Sequence, residues 1–172
     1  MRLIGTRVWD SVTMADIAAE AQISKGLLYH YFSAKPELYG AAVRCAATQL
    51  SEATRPDQSL PPRERLHDAL MAHVDWIDEH ALAYRAVLQG GLSGDRDVQA
   101  IVEASRAEVL ARVARDSGIA SVPPLLRIAL RGWVGFLEGA CLEWLASKAI
   151  TKEELVRLVA AGLPAAIRAA AR

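Results

Sequence analysis

Apolar residues recur every three or four positions along almost the whole chain, and no segment alternates apolar and polar residues over the length of a strand. That period stacks apolar side chains on one face of successive helices, so an all-α protein is predicted. Turn residues divide the pattern. Two short helices are expected first, from Thr13 to about Ala21 and from Ser24 to about Phe32. A longer helix follows from about Lys35 to Ala53, with Pro36 tolerated in its first turn. Pro56, Pro61 and Pro62 mark a linker over 55–62. Beyond it, a helix over 63–79 places Leu66, Leu70, His73, Val74 and Ile77 on one face. A short helix over 82–89 ends at Gly90-Gly91. The next, over 95–116, carries Val98, Ile101, Val102, Ser105, Val109 and Val113 in a stripe before Gly118 stops it. Pro123-Pro124 opens a helix reaching about Ser147. Thr151, with Glu154 three residues on, forms a capping box for the last helix, which Pro164 is expected to kink.

The segment TMADIAAEAQISKGLLYHYFSAK, residues 13–35, is the most specific. Thr13 can cap the first short helix, with Asp16 where a carboxylate meets free backbone N–H groups. Ile17, Ala18 and Ala21 form an inward face small enough for a second helix to cross closely. Gln22-Ile23 makes a tight turn, with Ile23 filling the angle, and Ser24 caps the second helix. Leu28 and Phe32 face the core while Lys25, Leu27, Tyr29 and His30 point elsewhere. Two short helices joined by so tight a turn fit a helix-turn-helix, whose second helix enters the major groove. On that reading His30 and Leu27 are candidates for reading bases, and Leu27 could meet a thymine methyl. The core positions alone would suit any helical pair, and Tyr29 and Tyr31 could equally half-bury their rings.

Charge does not announce a nucleic-acid partner. Lys and Arg balance Asp and Glu over the chain, and residues 1–50 carry a single excess positive charge. DNA binding must rest on pattern. The pattern Thr13-x-x-x-Ile17-Ala18-x-x-Ala21-x-Ile23-Ser24-x-Gly26-x-Leu28-Tyr29-x-Tyr31-Phe32-x-x-Lys35 resembles the TetR family of bacterial transcriptional regulators. RGWVGFLEGACLEWL (131–145) and TKEELVRLV (151–159) look more diffusely like the ligand-binding and dimerisation half of that family. The resemblance implies that Thr13, Ser24 and Lys25 touch phosphates or bases and that Gly26 allows close backbone approach. It also implies that Tyr29 and Tyr31 place hydroxyls on phosphates, with Lys35 adding a charged phosphate contact. One departure stands out. Met1-Arg2-Leu3-Ile4 reads as only the last turn of the family's first helix, and Val8 replaces the usual glycine, so a truncated first helix is expected.

The expected organisation is therefore a helix-turn-helix DNA-binding module with its connecting helix over 1–53, joined to a larger helical ligand-binding and dimerisation domain over 54–172. The helix 124–147 is apolar around most of its circumference, and so needs partners on several sides. Self-association through 124–147 and 151–170 meets that need, and the resemblance implies the same homodimer, which would set two recognition helices on a pseudo-palindromic operator of double-stranded DNA. Trp76, Tyr84, Arg106, Trp133 and Phe136 are candidates to line an effector pocket, with His73 as a polar group on an apolar face; plain core packing accounts for the same residues.

Other classes are disfavoured. With 52% hydrophobic and 23% charged residues in 172, the chain can bury a core and is not intrinsically disordered. The longest apolar region, 128–145, is interrupted by Arg131, Glu138 and Glu143, so no membrane span is expected. MRLIGTRVWD lacks the features of a signal peptide. Cys45 and Cys141 are too few and too far apart for a disulfide framework or zinc site, which suits a reduced, cytoplasmic protein. His30, His67, His73 and His80 lack the spacing of a helical metal pair. With no phosphate loop or nucleophile arrangement, neither a catalytic site, a metal nor a cofactor is expected. The function expected is that of a ligand-responsive repressor. The rival is a dimeric small-molecule-binding helical bundle whose truncated front end no longer binds DNA.

Overall fold

The computed structural model describes residues 12–89, 96–119 and 121–170, and these form helices without a strand. In chain order they are α1 (Met14–Glu20), α2 (Lys25–Tyr31), α3 (Lys35–Ala53), α4 (Pro62–Glu79), α5 (Ala81–Gln89), α6 (Arg96–Asp116), α7 (Pro124–Ser147) and α8 (Lys152–Ala170). The all-α expectation holds. The expected truncation of the first helix falls on residues 1–11, outside the described residues. Two compact units result. Among the described residues, one takes those up to Gln49 with those of His80–Val102; the other takes Leu50–Glu79 and those from Glu103 onward. This partition by packing differs from the sequence division at 53/54, because 80–102 joins the front of the chain.

In the first unit, Met14, Ala18 and Leu28 are buried together, with Ile17, Phe32 and Leu38 against them. Tyr39, Val43 and Val98 form a second buried cluster, on which Ile17, Val87 and Ile101 pack. Ile17 thus joins both clusters, so the helix pair α1–α2 rests on α3, α5 and the start of α6. Ala21, expected on the inward face, is instead the exposed C-cap of α1. Ile23 also keeps 37% of its surface exposed. The short turn explains both. Gln22 takes the left-handed conformation (φ 55°), and the Ile23 and Gln22 N–H groups return to the Ala18 and Ala19 carbonyls at 3.0 and 3.1 Å. That reversal satisfies carbonyls the helix end would otherwise leave open.

In the second unit α8 packs against α7 and α4. Its buried Leu155, Val156, Val159 and Leu163 belong to a core shared with Leu70, Val74 and Ile77 of α4 and with Leu130, Trp133, Val134, Leu137 and Cys141 of α7. Each such side chain stabilises the fold by about 1.5–3 kcal/mol, far more than the surface ion pairs around it. The two buried indoles also find acceptors. Trp133 Nε1 donates to the Val159 carbonyl at 3.0 Å, and Trp144 Nε1 to that of Ile150 at 2.8 Å. Lys152 adds an exposed clasp to α4 through Asp75 (2.7 Å) and Asp78 (3.0 Å), and Lys148 pairs with Asp78 beside it.

Candidate nucleic-acid interface

Two caps fix the geometry of the helix pair. At α1, Asp16 N–H donates to Thr13 Oγ1 at 3.1 Å, while the Thr13 N–H and hydroxyl donate to Asp16 Oδ2 at 2.8 and 2.7 Å. At α2, Leu27 N–H donates to Ser24 Oγ at 3.0 Å. These bonds, reciprocal at α1 and single at α2, satisfy orphan amide groups and decide where each helix begins. They also separate two residues that the sequence treats alike. Thr13 has already given its one hydroxyl proton to Asp16, whereas Ser24 only accepts through its oxygen and keeps a proton to give. A phosphate, which accepts only, is better matched to Ser24.

With Leu28 buried, α2 turns its other positions outward. Leu27, Tyr29 and Tyr31 keep 45%, 46% and 67% of their surface exposed, and Lys25, Gly26 and His30 are exposed beside them. The pairs at four-residue spacing share faces. Lys25 Nζ lies 5.7 Å from the Tyr29 ring centroid, within cation–π range, which draws it to the Tyr29 flank. The His30 and Tyr31 rings meet edge-on at 5.2 Å. Around Gly26 the surface is open: a Cβ built there would have only Ser24 Oγ near it, at 4.0 Å. Lys35 stands at the first position of α3, whose start is held by Ser33. Its N–H and hydroxyl both donate to Glu37 Oε2, at 2.8 and 2.7 Å. Those bonds hold the Glu37 carboxyl below the usual carboxylate range. The structure therefore brings Ser24, Lys25, Gly26, Leu27, Tyr29, His30 and Tyr31 onto one short helix and its cap, with Thr13 and Lys35 at the starts of the helices on either side.

The residues expected to line a pocket are less unified. Tyr84 is buried in the first unit, whereas the other five belong to the second. Arg106 grips Glu138 of α7 through two bonds of 2.7 Å and pairs with Glu103 at 2.6 Å, which raises its pKa further above the ordinary guanidinium range. Trp133 and Phe136 lie side by side over Gly162 of α8, where a Cβ would come within 3.4 Å of both rings. Trp76 is half-buried on α4. His73, on the same helix, is pushed down to about 4, chiefly by burial and then by the nearby Arg112 charge. It is neutral at physiological pH.

Arg112 itself was not singled out by the sequence. Its Nη1 donates to the Thr54 and Ser51 carbonyls, at 3.1 and 3.3 Å, and Ser51 Oγ donates to Glu108 Oε1 at 2.7 Å. A cation on the last carbonyls of α3 complements both their unmet acceptors and the helix dipole. Nothing local in the sequence pairs 112 with 54, so this cap needed the fold.

A stripe of α7 is left uncovered. Leu125, Ile128 and Phe136 are exposed, and Cβ atoms built at Gly132, Gly135 and Gly139 meet nothing within 4 Å. These positions share one helix face. On α8, Leu158 is 52% exposed, with Ala161 and Ala165 exposed on the same side.

A capped helix-turn-helix with an exposed second helix, followed by a helical bundle with a bare apolar face, defines a helix-turn-helix protein with an appended bundle. The comparisons agree. Residues 1–42 match the model described as bacterial regulatory proteins, tetR family, and residues 62–163 match the tetracyclin repressor-like C-terminal domain. The chain belongs to the TetR family of bacterial regulators. It is 32% identical over 121 residues to the HTH-type transcriptional activator FasR of Mycolicibacterium smegmatis, an alignment covering 66% of this chain and 54% of that protein. The chain thus spans about half the length of that relative. The crystal structure of a tetR-family transcriptional regulator from Streptomyces coelicolor superposes with a TM-score of 0.88 at 28% identity, over 98% of this chain and 77% of the other. A TetR-like transcriptional regulator from Rhodococcus sp. RHA1 shares the fold, with a TM-score of 0.70 at 24% identity, over 97% and 90% of the two chains.

Proposed function

We propose that this protein is a ligand-responsive transcriptional regulator that binds a pseudo-palindromic DNA operator as a homodimer. The observation that carries the reading is the outward face of α2, where five exposed residues surround an unobstructed Gly26 on a helix whose start is capped and whose inner side is buried. Lys25, Tyr29, Tyr31, Ser24 and Lys35 supply donors for phosphates, which position the protein, while Leu27 and His30 face base edges. The bare stripe on α7 and α8 is the self-association face, and twofold symmetry then presents two copies of α2 to two half-sites.

The effector binds the second unit, in the region of His73, Trp76 and Trp133. Both α3 and α6 begin in the first unit and end in the second, so they are the elements through which occupancy is transmitted. The ligand lowers operator affinity only by as much as it prefers the non-binding arrangement. Repression is the mode proposed, although the related FasR is named an activator; a reporter fused downstream of the selected operator reads the sign directly. The central test is fluorescence anisotropy with pooled genomic fragments at two salt concentrations, comparing the natural protein with Tyr29→Ala. Saturable, sequence-selective binding that the variant loses is the expected result. Weak binding indifferent to the substitution would reduce the protein to a sensing bundle.

A further inference from the structure

Seen down its axis, α2 has Gly26 and His30 opposite the buried Leu28, with Lys25 and Tyr29 on one flank and Leu27 on the other. The chemistry of the flanks differs. Lys25 is drawn over the Tyr29 ring, which leaves the Leu27 flank without a cation from this helix. The sequence of α2, KGLLYHY, also contains no Arg, Asn, Gln, Asp or Glu. Of the side chains that read guanine, adenine or cytosine edges through paired or charged hydrogen bonds, only Lys25 stands on this helix, on the Tyr29 flank. On the opposite flank of the first turn stands an exposed leucine. Leu27 sits in the first turn, the part of a recognition helix that meets base edges, and its N–H is tied to Ser24 Oγ at 3.0 Å. Beside it, the open surface at Gly26 lets a base edge come near the backbone.

The major groove offers one apolar protrusion, the C5-methyl group of thymine. We propose that Leu27 is a specificity-determining residue that reads a thymine methyl in each operator half-site, with Gly26 opening the approach. This rests on the DNA-binding reading above. Covering the leucine removes apolar surface from water on both partners, so each methyl contact is worth about fourfold in affinity.

The experiment begins with selection of binding sites from a random duplex pool by the natural protein. Each thymine of the selected operator is then replaced singly, in both half-sites together, by deoxyuridine, which deletes the methyl and leaves pairing intact. Affinities are measured for the natural protein and for Leu27→Ala. At one thymine position the natural protein is expected to lose about fifteenfold, two methyls together. Leu27→Ala is expected to bind both duplexes equally, about as weakly as the natural protein binds the uracil duplex. Equal uracil losses in both proteins would assign the methyl to another residue. No loss at any thymine, or selected half-sites lacking thymine, would overturn the inference while leaving DNA binding intact. A pool that yields no preferred sequence would overturn the DNA-binding reading along with it.

Discussion

A methyl group added at position 26 meets only Ser24 Oγ, 4.0 Å away, so nothing in the free protein resists alanine there. Glycine inside a helix costs about 1 kcal/mol relative to alanine. Gly26→Ala should therefore raise the thermal midpoint slightly and, if a base edge approaches there as proposed, weaken operator binding about tenfold or more. Melting curves beside anisotropy titrations separate the two effects. His73 makes a second prediction at this scale. Its folded pKa of about 4 lies below the ordinary 6.5, so the unfolded chain binds more protons between those values. The stability that depends on neutral His73 is complete above 6.5 and is lost as pH falls toward 4, by roughly 3 kcal/mol in all at 1.4 kcal/mol per unit. His73→Gln should flatten that part of the acid limb in urea denaturation curves taken at stepped pH. Caps and exposed aromatics were legible as residues. That Thr13 spends its hydroxyl proton on Asp16 was not, because donor direction is a matter of geometry rather than residue type.

Helix ends show what local sequence can and cannot specify. The reversal after α1 runs through Gln22 at φ 55°; the reversal after α6 runs through Gly118 at φ 70°, with the same pair of return bonds from Gly118 and Ile119. Only the second uses the residue that adopts this conformation freely. Gln22→Gly should therefore stabilise the first unit, by up to about 1 kcal/mol, without altering the helix pair. A chemical-denaturation midpoint shift at constant slope would confirm it, and a decrease would mean that the glutamine side chain supports the turn. At the end of α3 the cap comes from far away. Replacing Arg112 by Met keeps the aliphatic stem but removes the donor to the Ser51 and Thr54 carbonyls, with an expected cost of about 1–3 kcal/mol. The helix limits were readable because prolines, serines, threonines and Gly118 act within a few residues. The packing of Tyr39 and Val43 against Val98 was not, since apolar period assigns a face to a helix without naming its partner.

At the scale of the whole molecule the proposed dimer rests on the uncovered stripe on α7 and α8. The sequence showed that α7 was apolar on too many sides for one chain; the structure divides those sides into a buried arc around Trp133, Leu137 and Cys141 and an open one holding Leu125 and Ile128. Phe136 is a poor probe of the open arc, because its ring also packs over Gly162 within the same chain. Ile128 and Leu158 are cleaner, at 69% and 52% exposed. An aspartate at either site should change the stability of the isolated subunit by about 0.5 kcal/mol or less, the usual range for a surface position. In a twofold dimer, however, each change is made twice, removing about 1.5 kcal/mol or more of apolar burial per copy and adding a charge to a dry interface. Sedimentation velocity should then show the dimer dissociation constant weakened about a hundredfold or more for Ile128→Asp and for Leu158→Asp, with unchanged melting of the subunit. Operator affinity should fall with it, since a single helix-turn-helix keeps one half-site's contacts and loses the spacing that the second supplies. Undisturbed dimers in both variants would move the interface off this stripe, whereas monomers that still bind the full operator tightly would show that recognition does not depend on the pair.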